Sequence, residues 1–208
     1  TPSGVAYAPD GTLWVVDVVN RAIRKIDPAG VVTTAFKAGA KAQKKEKGPF
    51  PAGEVPMVEA LFCTVSPRGL LHWSDTKSHQ IFRQREDGLA EVVVGTWEQA
   101  GNPEPDTPAR DCAIHTPLQL AFDAAGDLYF AASGNSRIFR VKGGDPGSPV
   151  ETVAGLTPDK FAARLIDVAA TGIDAELAQG IDDLRVLDVE AVHQRDVRGH
   201  PVLPYLPS

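Results

Sequence analysis

The chain has 208 residues, 43% hydrophobic and 23% charged, with 19 Gly and 17 Pro, which fits one compact domain of short, turn-joined elements and excludes a disordered tail. Its 21 basic and 27 acidic residues leave a net charge of −6, which argues against a domain built to grip phosphate backbones and so against nucleic acid as the main partner. No apolar run approaches the roughly 18 to 20 residues of a membrane span, the N-terminal TPSGVAY has no charged or apolar leader, and two cysteines are too few for a disulfide framework; a soluble chain without a membrane segment is expected.

Apolar residues alternating at Val5 and Tyr7 predict a first short strand, a. The Pro9-Asp10-Gly11 turn leads into strand b at Leu13–Val16, and further turns set off strand c at Ala22–Ile26 and strand d at Val31–Ala35. A long connector, 36–59, follows and carries Lys37, Lys41, Lys44, Lys45 and Lys47 against Glu46 alone in that run. The pattern then recurs. Residues 62–92 align with 4–34 at an offset of 58 without a gap, and 118–141 align with the second copy at an offset of 57. Gly11, Gly69 and Gly126 fall in one column; Ile23, Ile81 and Ile138 fall in another and are expected to be buried. The second copy predicts strands about Cys63 and Val65, then at Leu71–Trp73, Gln80–Gln84 and Glu91–Val94; a connector with Trp97 spans 96–116. The third predicts strands about Leu120 and Phe122, then at Leu128–Phe130, Arg137–Val141 and Val150–Ala154. Four antiparallel strands followed by a long connector describe one blade of a β-propeller, so an all-β fold is expected, with blades at about 1–36, 60–95 and 116–155. In 156–170, Thr157 and Pro158 begin a stretch with Phe161, Leu165 and Val168 on one face, which predicts a short amphipathic helix; 171–208 reads as a degenerate partial blade.

The motif Asp-x-x-Gly-x-Leu-aromatic-Val-x-Asp, followed by Asn-x-x-Ile-basic-Lys, is clearest in PDGTLWVVDVVNRAIRKID and next in AAGDLYFAASGNSRIFRV. It resembles the NHL repeat. The segments Gly48-Pro49 to Met57 and Pro108-Ala109 to Pro117 are similar to the lead-in of bacterial members. The resemblance covers about residues 1–155 and implies a propeller, which in this family usually closes with six blades. A 208-residue chain holds about 3.6 repeats of this length. Three accounts follow: part of a larger propeller, which the start within strand a favours; a compact four-bladed ring; or a half-ring completed by another chain, since open blade edges invite self-association.

Strand parity places the b–c turns and the d–a connectors on one face, and long loops make that face the expected binding surface. Its candidate ligand-binding residues are Asn20, Arg21, Lys44, Lys45, His79, Trp97 and Asn135. No catalytic triad, HExxH or phosphate-binding loop occurs, so no catalytic residue, metal or cofactor is assigned. Asp17 and Asp75 share a column suited to holding the b–c turn through backbone N–H groups, and Cys63 and Cys112 read as small buried residues. The expected function is a non-catalytic module that binds a protein or glycan, within a larger bacterial protein of the cell envelope or exterior. The alternatives are a lyase- or lactonase-like propeller enzyme with a channel metal, and polyanion binding through the lysine-rich connector.

Overall fold

A computed structural model describes residues 1–40 and 46–155. The expected helix in 156–170 and the partial blade at 171–208 lie outside them. Twelve strands form three four-stranded antiparallel sheets, each in sequence order. Blade 1 comprises β1 (Pro2–Tyr7), β2 (Leu13–Asp17), β3 (Ala22–Ile26) and β4 (Val32–Lys37). Blade 2 comprises β5 (Ala60–Val65), β6 (Leu71–Asp75), β7 (Gln80–Gln84) and β8 (Ala90–Val94). Blade 3 comprises β9 (Pro117–Phe122), β10 (Leu128–Ala132), β11 (Arg137–Val141) and β12 (Val150–Ala154). Gly11, Gly69 and Gly126 all take positive φ, at 85°, 79° and 91°, which explains why the a–b turn keeps glycine in every copy.

The blades stack face to face as in a β-propeller, and each interface is a core of its own. Between blades 1 and 2, Trp14, Val16 and Ile23 pack with Leu71, Trp73 and Phe82. Between blades 2 and 3, Ile81 and Val93 pack with Leu120, Leu128, Phe130 and Phe139. Full burial of one such side chain contributes about 1.5–3 kcal/mol. The innermost strands lie side by side, β1 against β5 and β5 against β9. Gly4 permits the first approach: a Cβ there would stand 2.7 Å from the Leu61 carbonyl oxygen and 3.0 Å from Phe62 Cα.

Each connector also closes the outer edge of the blade it leads into. Phe50 exchanges backbone hydrogen bonds with Ala90, and Val92 N–H donates to the Lys47 carbonyl. In blade 3, Ala109 N–H donates to the Ser148 carbonyl beside β12. Both cysteines are buried free thiols in separate cores, and burial pushes them up to about 12 for Cys63 and about 11 for Cys112.

One expectation about burial needs correcting. Ile23 and Ile81 are fully buried, but Ile138 is only half-buried. Val5 and Tyr7, whose alternation marks β1, are 64% and 72% exposed, whereas Cys63 and Leu120 in the Val5 column are buried. The cause is position in the stack. Blade 2 has a neighbour on each side; Val5 and Tyr7 lie on the face of blade 1 away from blade 2, and Ile138 on the face of blade 3 away from blade 2.

Candidate functional site

All three b–c turns end in a left-handed residue other than glycine: Arg21 at φ 46°, His79 at 58° and Ser136 at 52°. The repeat offsets place them in one column. Such a conformation is uncommon outside Gly, Asn and Asp, and here it brings each turn back into strand c. The carboxylate column secures the turn from below. Asp75 is buried and accepts N–H bonds from Ser78 at 3.0 Å, from Val58 at 2.6 Å and from Glu59 at 3.1 Å, tying the turn to the incoming connector. Burial raises its pKa, and those donors oppose the rise. Asp17 instead accepts from the Asn20 amide and from Arg24. The Asn20 hydrogen bond foremost, with Arg24 assisting, lowers its pKa to about 2. Asp75 thus holds its turn through backbone N–H groups as expected, whereas the Asp17 carboxylate is engaged by side chains and by the Thr1 amino group instead.

Blade 3 has Ala132 in that column, and Asn135 takes over the task. Its Oδ1 accepts the backbone N–H of His115 at 2.8 Å, and His115 occupies the same lead-in column as Val58. The Asn135 amide N–H groups donate to the Gly101 carbonyl and Asn102 Oδ1, which also receives Arg137. His115 stands edge-on to His79, with ring centroids 5.2 Å apart. The His79 Nδ1 accepts the Thr116 N–H at 3.2 Å, so its proton resides on Nε2 in the neutral ring. Burial, and next to it the neighbouring His115, lowers the pKa of His79.

Of the candidate residues, the structure therefore joins His79 and Asn135 through His115. Trp97 is half-buried between two fastened neighbours: Thr96 Oγ1 receives Lys47 Nζ at 2.9 Å, and Glu98 N–H donates to the Ser78 carbonyl. Asn20 and Arg21 are exposed on the blade 1 turn, where the Asn20 amide donates to Asp17. Lys44 and Lys45 lie outside the described residues. Lys47, from the same basic run, bonds the Gly95 carbonyl and Thr96, and so links the two connectors; burial lowers its pKa.

Sequence reasoning missed His115, Asn102 and Gly134 as organisers of this face. The legible signal was the loss of the column aspartate at Ala132 with an Asn three residues later. Gly134 has no room for a side chain, because a Cβ would overlap the His115 ring. Gly134→Ala should displace that ring at a cost of about 1–3 kcal/mol. The check is a shifted His115 imidazole resonance alongside a lowered unfolding midpoint.

The opposite, short-turn face has a recess lined by Ala8, Pro9, Asp10, Pro67, Arg68 and Gly69. Its charged groups are already engaged: Asp10 accepts Thr12 N–H, and Arg68 pairs with Glu86 at 2.5 Å. Among the described residues, no three His, Cys, Asp or Glu side chains converge as a metal site, and no helix is long and apolar enough to cross a membrane.

No family model matches the chain. It is similar to Teneurin-m of Drosophila melanogaster, 31% identical over 154 residues, which cover 68% of this chain and 5% of that protein. Among solved structures it resembles an auxiliary nutrient binding protein from Bacteroides thetaiotaomicron, with a TM-score of 0.54 and 19% identity over 75% of this chain and 36% of that one. It also resembles a gluconolactonase from Xanthomonas campestris, with a TM-score of 0.52 and 17% identity over 74% of this chain and 48% of that one. The chain thus spans less than half the length of each. These likenesses establish the β-propeller fold. One such neighbour is a binding protein and the other an enzyme, so the fold leaves function to the site.

Proposed function

We propose that this chain is a non-catalytic NHL-type propeller module that binds a protein or glycan through its long-loop face, as part of a larger exported bacterial protein. One observation carries the reading: the second connector is stapled to the b–c turns of blades 2 and 3, so His79, Trp97 and Asn135 belong to a braced surface. Pre-organised loops lower the ordering cost of binding, and an indole offers an apolar plate with a polar edge, suited to a sugar ring or a peptide side chain. The enzymatic alternative needs ligating side chains on the innermost strands. The positions there hold Ser3, Leu61, Phe62, Leu118 and Gln119, a poor donor set for a channel metal. Polyanion binding is disfavoured by the net charge of −6 and by the engagement of Lys47 within the chain.

A glycan array and a peptide-display library, each probed with the tagged chain, provide the test. Binders retained by the wild type should weaken about tenfold or more in Trp97→Ala and His79→Ala, with Arg68→Ala on the opposite, short-turn face as the comparison. Binding that ignores both substitutions would exclude this face. Hydrolysis of an aldonolactone in the presence of added divalent cation would favour the enzymatic alternative.

A further inference from the structure

Thr116, where the second connector meets β9, has a backbone conformation that its own chemistry disfavours. It takes φ 54°, although it is β-branched and precedes Pro117, and both features push a residue toward extended backbone. Such a conformation persists only where the surroundings over-determine it. Two clamps do so here. From blade 3, Ser133 donates its backbone N–H at 3.1 Å and its hydroxyl at 3.4 Å to the Thr116 carbonyl. From blade 2, His79 accepts the Thr116 N–H on Nδ1 at 3.2 Å. His79 is itself left-handed, at φ 58°, so one disfavoured residue holds another. Its counterparts Arg21 and Ser136 bring no ring nitrogen to the turns of blades 1 and 3.

We propose that His79 is an acid-sensitive latch on the second connector: when neutral it fastens Thr116 and the end of the connector above β9, and when protonated on Nδ1 it releases them. The latch does not rest on ligand binding at this face, because its contacts lie within the chain. An imidazole nitrogen accepts only while it lacks a proton, so a proton on Nδ1 meets the Thr116 N–H as a second donor. The ring is half-buried and thus within reach of solvent. Its charge arises beside His115, whose ring is 5.2 Å away and cannot draw back, since Gly134 lies against it without room for a Cβ. Once released, Thr116 relaxes toward extended backbone and strains the neighbouring His115 N–H, which Asn135 holds at 2.8 Å. Asp75 of β6, Glu98 of the connector and the Thr76 carbonyl favour the imidazolium; burial and His115 oppose it and prevail, lowering its pKa in the latched state. Lys77, on the same turn, is paired with Glu59 at 3.3 Å. A released ring regains the ordinary value of about 6.5. Acid therefore favours release, and the equilibrium shifts by up to about tenfold per pH unit below 6.5 until the latched ring also protonates.

NMR on the full chain provides the test. In a titration from about pH 7.5 to about 5, the His79 imidazole should titrate below about 6.5, and the Thr116 amide should shift with the same midpoint. Amide exchange then reads the release itself. After division by the intrinsic exchange rate at each pH, the opening equilibrium at Thr116 should rise severalfold between about pH 7.5 and 5.5. His79→Asn separates the latch from a general loosening in acid. Asn tolerates the left-handed region and presents an Oδ1 acceptor that does not titrate, so Thr116 in this variant should lack the rise. A His79 midpoint at or above 6.5, a Thr116 amide that ignores the His79 titration, or the same rise in His79→Asn overturns the proposal. The wild-type titration decides alone if the variant fails to fold.

Discussion

Trp73→Ala is expected to lower the unfolding free energy by about 3–5 kcal/mol, the cost of deleting a fully buried large aromatic side chain whose surroundings relax only partly. Trp73 is 0% exposed and lies between two other rings: Phe82 stacks on it at 5.6 Å with planes 12° apart, and Phe36 is tilted over it at 5.1 Å. Phe36 comes from β4 of blade 1 and Phe82 from β7 of blade 2, so the indole holds the two blades together. Domains of this size are stable by only about 5–15 kcal/mol, so this substitution removes a large share and should move Tm down by roughly 10 °C. Trp73→Phe should cost far less. It keeps most of the ring volume and removes an indole N–H that has no hydrogen-bond partner. Urea titration of both variants is the check, and equal losses would show that the ring stack contributes little.

The second large effect is a dependence on pH arising from His72. This residue is buried on β6, edge-on to Phe122 of blade 3 at 4.7 Å, and its Nδ1–H donates to the Leu70 carbonyl at 3.0 Å. Burial, with the nearby Arg83 assisting, lowers its pKa from the usual 6.5 to about 3. The folded chain therefore keeps the ring neutral where the unfolded chain would protonate it. Stability from this residue is complete above about pH 6.5 and falls by about 1.4 kcal/mol per unit as the pH drops toward 3. Below about pH 3 the folded ring also protonates and the slope ends. The accumulated loss is on the order of 5 kcal/mol. His72→Phe should flatten this part of the profile while filling a similar volume, with carboxylate titrations common to both proteins. Parallel profiles for wild type and variant between pH 6 and 3 would rule out His72 as the source.

The candidate site divides differently from the fold in how much of it a reader could have found. The choice of face followed from strand parity and loop length, and His79, Trp97 and Asn135 were nameable from their places in turns and connectors. Their linkage was not. His115 lies 36 residues from His79, and only the packing of blade 3 on blade 2 sets the two rings 5.2 Å apart. Lys47 belongs to a run that suggests a solvated or polyanion-binding loop, yet it crosses 48 residues to bond the Gly95 carbonyl. A charge run reveals composition but not which of its members the fold will recruit.

Strand positions and turn identities were legible from the residues because both depend on local chemistry repeated three times. Glycine in a left-handed a–b turn, alternation with a period of two and β-branched or aromatic strand residues produce the same element in each copy. All three c strands, Ala22–Ile26, Gln80–Gln84 and Arg137–Val141, have the bounds expected from the alignment. Burial was decided by tertiary packing. Val5, Cys63 and Leu120 share a column and a strand position, but their exposures are 64%, 4% and 2%. A column specifies which way a side chain points from its sheet, whereas contact with water depends on whether another blade stands opposite. The same distinction separates Ile138 from Ile23 and Ile81.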